Sequence, residues 1–222
     1  LHSSPGDFAR DFLRADPYRA LYVEIDAMAG LAPSSKALNF LTSHINDLLN
    51  KPDGWNNPPS VDTTIPQPAE SPVYTLADIN DLEKANRSRY RQDNEAVLYL
   101  LYINGSYEGD TETLKTLGLA YHGSSLVIFK EAINLLAVLE SKRQSLEAIT
   151  LVHEFGHMLG LVNVGTSMVT PHEDPEHSGH DVNPDCLMYW LNEGTTILES
   201  LSNILPEFDQ ECLDDMAQVA AE

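Results

Sequence analysis

The sequence predicts an α/β (α+β) chain: a mixed, twisted sheet with helices packed on it, then a small, irregular C-terminal lobe that ends in a helix. Three observations carry this reading. β-prone segments alternate with helix-patterned ones as far as residue 160. The run 97–103 is strongly apolar, the mark of a strand covered on both faces. Beyond Gly160 the periodicity gives way to Gly, Pro, Asn, Asp and His, and a helical pattern returns only at 207–221. A length of 222 residues suits one domain. We divide it into an N-terminal lobe, 1–160, and a C-terminal lobe, 161–222.

Residues 1–17 form a short arm in which Phe8, Phe12 and Leu13 can dock a helical turn. Residues 18–26 alternate as a strand. Ser34 or Ser35 caps a helix whose face is Leu38, Leu41, Ile45, Leu48 and Leu49, ended by Lys51-Pro52-Asp53-Gly54. Six prolines fall in 52–72, an excursion with one β-like piece at 61–65. A helix spans 75–91, with its charged residues on a solvated face. The strand 97–103 follows, then a loop at 105–110, strands at 116–121 and 124–129, and a helix over 131–142. Ser145 caps the next helix, about 145–160.

Charge excludes whole classes of partner. Thirteen Lys+Arg against 34 Asp+Glu give −21, and neither nucleic acid nor an anionic membrane binds without a basic footprint. No apolar run reaches membrane-spanning length. Cys186 and Cys212 are too few for a disulfide framework; they form one bridge, stay as buried thiols, or bind metal. The chain opens at Leu1 without Met, as after trimming of an export segment; a bridge between the cysteines would persist only in an oxidising compartment, and we expect an exported bacterial protein, periplasmic, cell-surface or secreted. We expect a monomer.

The helix at 145–160 carries the chemistry. His153-Glu154-Phe155-Gly156-His157 has the form H-E-x-x-H. Positions i and i+4 share a helix face, so His153 and His157 present two imidazoles to one metal ion, with Glu154 beside them to act on water. Zinc is the metal that this donor set selects, and a catalytic zinc takes three protein ligands with a fourth position open. The third ligand must come from downstream.

His153-Glu154-x-x-His157-x-x-Gly160-x-x-Asn163 resembles the extended H-E-x-x-H-x-x-G-x-x-H/D motif of metzincin metallopeptidases, and Cys186-Leu187-Met188-Tyr189 resembles their Met-turn. The departure is Asn163, a neutral and poor zinc ligand. His180-Asp181-Val182-Asn183-Pro184-Asp185-Cys186-Leu187-Met188 matches the spacing from the third histidine to Met in archaemetzincins, with Asp181 where those have a first cysteine. The likeness therefore implies that residues 163–179 are inserted and that His180 is the third ligand. His172, His177, Asn163 and a downstream Glu (Glu176, Glu193) are the alternatives.

The resemblance is specific over 153–163 and 180–190 and architectural elsewhere. It implies a zinc endopeptidase in which Glu154 activates the metal-bound water, Gly160 turns the chain and Met188 floors the metal. It also implies a peptide substrate lying along an edge strand, with Gly118, Ala120 and Tyr121 at that edge and Tyr189 as a further candidate contact. In archaemetzincins cysteines flanking this region hold a structural zinc. With Asp181 and Asp214-Asp215 in their places here, a Cys186–Cys212 disulfide is the simpler expectation. Glu173, Asp174, Glu176, Asp181 and Asp185 offer a calcium site or plain solvated acidity. The rival function is a metal-binding or cell-surface interaction protein without peptidase activity, which Asn163 and the inserted loop favour.

Overall fold

Burial explains the centre of the sheet. The apolar run extends two residues earlier than expected, as β4 (Glu95–Ile103), and from Ala96 onward every residue of it is buried. A computed structural model describes residues 3–112, 114–137, 139–190 and 204–222. In it β4 lies between β1 (Ala20–Met28) and β7 (Ser125–Phe129), parallel to both, with Ala20 opposite Glu95 and Tyr99 opposite Ser125. β2 (Val61–Ile65) adds to β1 in parallel at one edge. At the other edge β6 (Gly118–His122) runs antiparallel to β7. The order β2-β1-β4-β7-β6 is a mixed sheet with a reversed edge strand.

The helices carry the caps that hold them. Ser34 accepts from Ala37 N at the start of α2 (Ser35–Leu48). Thr75 and Asp78 close a reciprocal capping box on α3 (Leu76–Asn86). The arm becomes α1 (Ala9–Leu13), where Phe12 and Leu13 are buried, and Lys51 Nζ ties it down through the carbonyls of Asp11, Arg14 and Tyr18 at 2.5–2.6 Å. A two-residue pair, β3 (Val73–Tyr74) with β5 (Ser106–Tyr107), lies where we expected loop.

The expected helix over 131–142 is a correction. It ends as α4 (Lys130–Leu136), and α5 (Glu140–Met158) begins earlier than 145. Ser145 is therefore inside the helix. Its hydroxyl bonds back to Ser141 O and accepts from Lys36 Nζ, joining α5 to α2. Glu147, fully buried, does the same on the next turn, taking Ser34 N and Lys130 Nζ. From Ser145 to Met158 every residue of α5 is buried, because it packs on α2, α4, β6 and β7 together.

α5 stops at a paired-bond cap. Gly160 N donates to His157 O and Leu161 N to Gly156 O, with Gly160 at φ +75. Val162 (φ 52) and Asn163 (φ 66) prolong the reversal. The chain then runs irregularly to residue 190, and α6 (Gln210–Ala221), capped by Asp209 and packed on α1, closes it.

Candidate metal centre and its cleft

Three imidazoles converge at the C-terminal end of α5. His153 and His157, one turn apart, bring their Nε2 atoms to 3.1 Å. His180 arrives from the loop beyond, its ring centroid 5.4 Å from that of His153 and 5.1 Å from that of His157. One ligand atom from each of the three lies within 4.8 Å of the others. The loop is pinned on either side of His180: its own N–H donates to His177 O, its carbonyl accepts from Asp174 N, and Asp181 N donates to Met188 O.

The geometry suits zinc. Two nitrogens each about 2.05 Å from a tetrahedral metal stand about 3.3 Å apart, close to the 3.1 Å found here. Nitrogen donors favour zinc over the oxygen-seeking calcium and magnesium. His153 Nδ1 lies 2.8 Å from Leu187 O, so Nδ1 carries the proton and Nε2 keeps its lone pair for a metal. His153 is fully buried and His157 nearly so, while His180 is half-buried on the solvent side.

Glu154 faces the edge strand. Its Oε2 accepts from Ala120 N at 2.7 Å. The contact needs Gly118, because a Cβ there would lie 2.7 Å from Thr150 Cγ2 and 2.8 Å from Glu154 Cγ. Leu117 O accepts from Phe129 N. Antiparallel ladders alternate, so Leu119 bonds toward β7, while Gly118 and Ala120 turn their peptide groups to the open edge. The Ala120 amide is taken by Glu154; the Ala120 carbonyl and the Gly118 peptide groups face outward.

The scaffold is a known one. The crystal structure of a zinc-dependent peptidase from Methanocorpusculum labreanum (strain Z) superposes with a TM-score of 0.52 at 16% identity, covering 88% of this chain and 99% of that chain. At this identity the likeness concerns the fold. No protein-family model matches the sequence, and neither does any curated protein.

The alternative ligands lie elsewhere. Asn163 is exposed and its amide donates to Glu173. Glu176 is exposed. His177 bonds Asp174 through Nδ1 and stacks on Trp190, ring centroids 4.1 Å apart and planes within 6°. Glu193 falls outside the described residues. His172 is buried between two carboxylates, Nδ1 to Asp181 at 2.6 Å and Nε2 to Asp215 at 3.0 Å. Burial pulls its pKa down, but the bonds to Asp215 and Asp181 outweigh that and hold it above the ordinary value.

His172 belongs to a second group, with Asp181, Asp209 and Cys212, that could hold a metal. Both cysteines are buried thiols there, their sulfurs 3.8 Å apart. Contact with the Cys186 sulfur and burial push the Cys212 thiol up. The loop acids are engaged by the loop itself: Glu173 takes Ser178 and Gly179, Asp174 takes Glu176 N, and Asp185 is exposed.

Met188 is fully buried against α5, where a Cβ on Gly156 would lie 2.4 Å from its sulfur. Of the remaining edge candidates, Tyr121 turns its side chain inward. Burial and then Glu83 hold its hydroxyl's pKa well above normal. Tyr189 rests against Trp190, ring centroids 6.0 Å apart.

A cavity of about 470 Å³ opens beside His180. His180, Gly118, Leu119, His177, Trp190 and Lys115 line it. Sequence reasoning picked out neither Lys115 nor Trp190 as lining it. No local pattern could, since they meet only through folding.

Proposed function

We propose that the chain is a zinc-dependent endopeptidase of the metzincin type, with His153, His157 and His180 as the zinc ligands and Glu154 as the general base. The observation that carries the reading is the convergence of these three imidazoles beside a buried glutamate, with His180 on the wall of a cavity. The helix supplies two ligands and the base, and the loop after Gly160 brings the third from position 180 rather than 163. In this reading residues 1–160 form one wall of the cleft and 161–222 the other.

Zinc bound there would supply Lewis acidity toward water and the scissile carbonyl. The chain's own residues do the rest. Glu154, aligned by the Ala120 amide, takes a proton from the attacking water and passes it to the leaving amine. The Gly118 peptide groups and the Ala120 carbonyl pair with an extended substrate as an added strand. The Leu187 carbonyl holds His153 in the tautomer that leaves Nε2 open.

The test is hydrolysis of casein and a fluorogenic peptide library by the purified chain, with and without a chelator, beside Glu154→Ala. Cleavage that needs both the metal and Glu154 is the expected result. Full zinc occupancy with no Glu154-dependent cleavage of any substrate would overturn it in favour of a metal-binding protein without peptidase activity.

A further inference from the structure

A lysine stands on the wall of the cavity next to His180. The chain carries 34 acidic residues against 13 basic ones, yet among the described residues no Asp or Glu lines that cavity, and a lysine does. That lysine, Lys115, is half-exposed. Three of the other lysines are consumed by the fold, Lys36 on Ser145, Lys51 on three carbonyls and Lys130 on Glu147, and Lys84 is exposed on α3, outside the cavity lining. Lys115 makes no hydrogen bond or ion pair among the described residues. A cation free of structural duty, on the wall of a cavity, in a strongly acidic chain, is placed for an anionic ligand.

Its mounting is firm. Asp110 accepts from Thr116 N at 2.8 Å and fixes the segment that carries Lys115; Asp110 is not among the described residues that line the cavity. On the same cavity His177 is held by Asp174 through Nδ1, which leaves Nε2 as the ring's other polar atom. Lys115 precedes Gly118 by three residues, about 10 Å of extended chain. A peptide lying along the edge has the same rise, so a group reaching Lys115 sits within about three residues of the cleaved bond.

We propose that Lys115 is a specificity residue, recognising a carboxylate on the substrate close to the cleaved bond, from an acidic side chain or a free C-terminus. This rests on the peptidase reading above and names the substrate class for it. An exposed charged contact of this kind gives up to about a fivefold preference.

The experiment uses peptide pairs differing by Glu against Gln at each position within three residues of the cut, and by free against amidated C-terminus. kcat/KM ratios are measured within each pair for the wild type, Lys115→Gln and Lys115→Glu. Ratios taken within one preparation cancel differences in folded fraction. The expected result is a Glu or free-carboxylate preference that falls to about one in Lys115→Gln, reverses in Lys115→Glu, and shrinks with added salt. Which pair responds separates side chain from C-terminus.

Equal ratios in wild type and Lys115→Gln, with Glu154-dependent cleavage intact, overturn the carboxylate assignment and leave the peptidase standing. Fluorescence anisotropy of the same labelled pairs on Glu154→Ala and on Glu154→Ala with Lys115→Gln gives a readout without turnover. A Lys115-dependent affinity gap there, with no cleavage by wild type, keeps the carboxylate site and removes the peptidase. No gap and no cleavage overturns both.

Discussion

His153 Nδ1 lies 2.8 Å from the carbonyl oxygen of Leu187, so the first histidine of α5 is tied to the residue before Met188. One hydrogen bond thereby links the helix to the turn beneath it. On the next turn of α5, Gly156 leaves room for the Met188 sulfur. The histidine cluster and the turn are thus a single packed unit, and the predictions below probe its parts separately.

Removing the base should leave the metal in place. Glu154→Ala deletes the carboxylate without touching the three imidazoles, so zinc content stays at the wild-type level while kcat/KM falls by about 10²–10⁴. Gly118→Ala should produce a milder version. Its new Cβ meets Thr150 and Glu154 at under 3 Å and pushes the carboxylate off its line. A misplacement near 1 Å costs about 10²-fold in rate. Atomic absorption and peptidase kinetics on the same samples check both.

The ligand set is tested by metal content. His157→Ala and His180→Ala should each bring zinc well below one per chain after dialysis. Asn163→Ala should retain zinc in the folded fraction and lose about 1–2 kcal/mol of stability, because Ala is strained at the φ of 66° that Asn tolerates. His172→Ala should also keep its zinc in the folded fraction, because both ring nitrogens are already held by carboxylates. Zinc loss on Asn163→Ala with retention on His180→Ala would sink the assignment.

How much of this was legible beforehand divides along physical lines. β4 could be read because a strand buried on both faces needs apolar residues at almost every position. His153, Glu154 and His157 could be read because a helix converts fixed spacing into shared geometry. His180 was reachable only through the spacing to Met188 in a resembling family, since nothing local distinguishes it from His172 or His177. The start of α5 was missed because Ser145 has the chemistry of a cap yet lies inside the helix, bonded to Ser141 and Lys36. Lys115 and Trp190 carry no pattern at all. Their shared cavity depends on an edge strand and a loop that are far apart in sequence.

The buried His172 makes stability depend on pH, and the sign follows from its neighbours. Its folded pKa is raised by Asp215 and Asp181 against the pull of burial. A base with a raised folded pKa adds stability that is complete below its unfolded value, about 6.5, and is lost as pH climbs through the folded value. The stability difference between wild type and His172→Ala should therefore be largest near pH 6 and shrink above pH 7. Its size at pH 6 should be about 3 kcal/mol or more, since the variant strands two carboxylates that are fully buried. Urea melts at pH 6, 7.5 and 9 measure it, and a difference that grows with pH would mean that the imidazole is neutral in the fold.

The packing between α5 and Met188 sets the last expectation. A Cβ at position 156 would lie 2.4 Å from Met188 Sδ and 3.0 Å from Phe208 Cε1. Gly156→Ala gains helix propensity, worth about 1 kcal/mol, but overpacks a closed site, which costs about 1–3 kcal/mol. The net should be a destabilisation of up to about 2 kcal/mol, held below the upper end by the flexible thioether. Met188→Ala, combined with Gly156→Ala, should recover part of that loss, because the shorter side chain vacates the space that the new methyl needs. A double-mutant cycle by thermal or urea unfolding measures the coupling. Strict additivity of the two changes would mean that Met188 and Gly156 do not share this contact, and the turn would then be held under the histidines by the hydrogen bonds of the Leu187 and Met188 carbonyls.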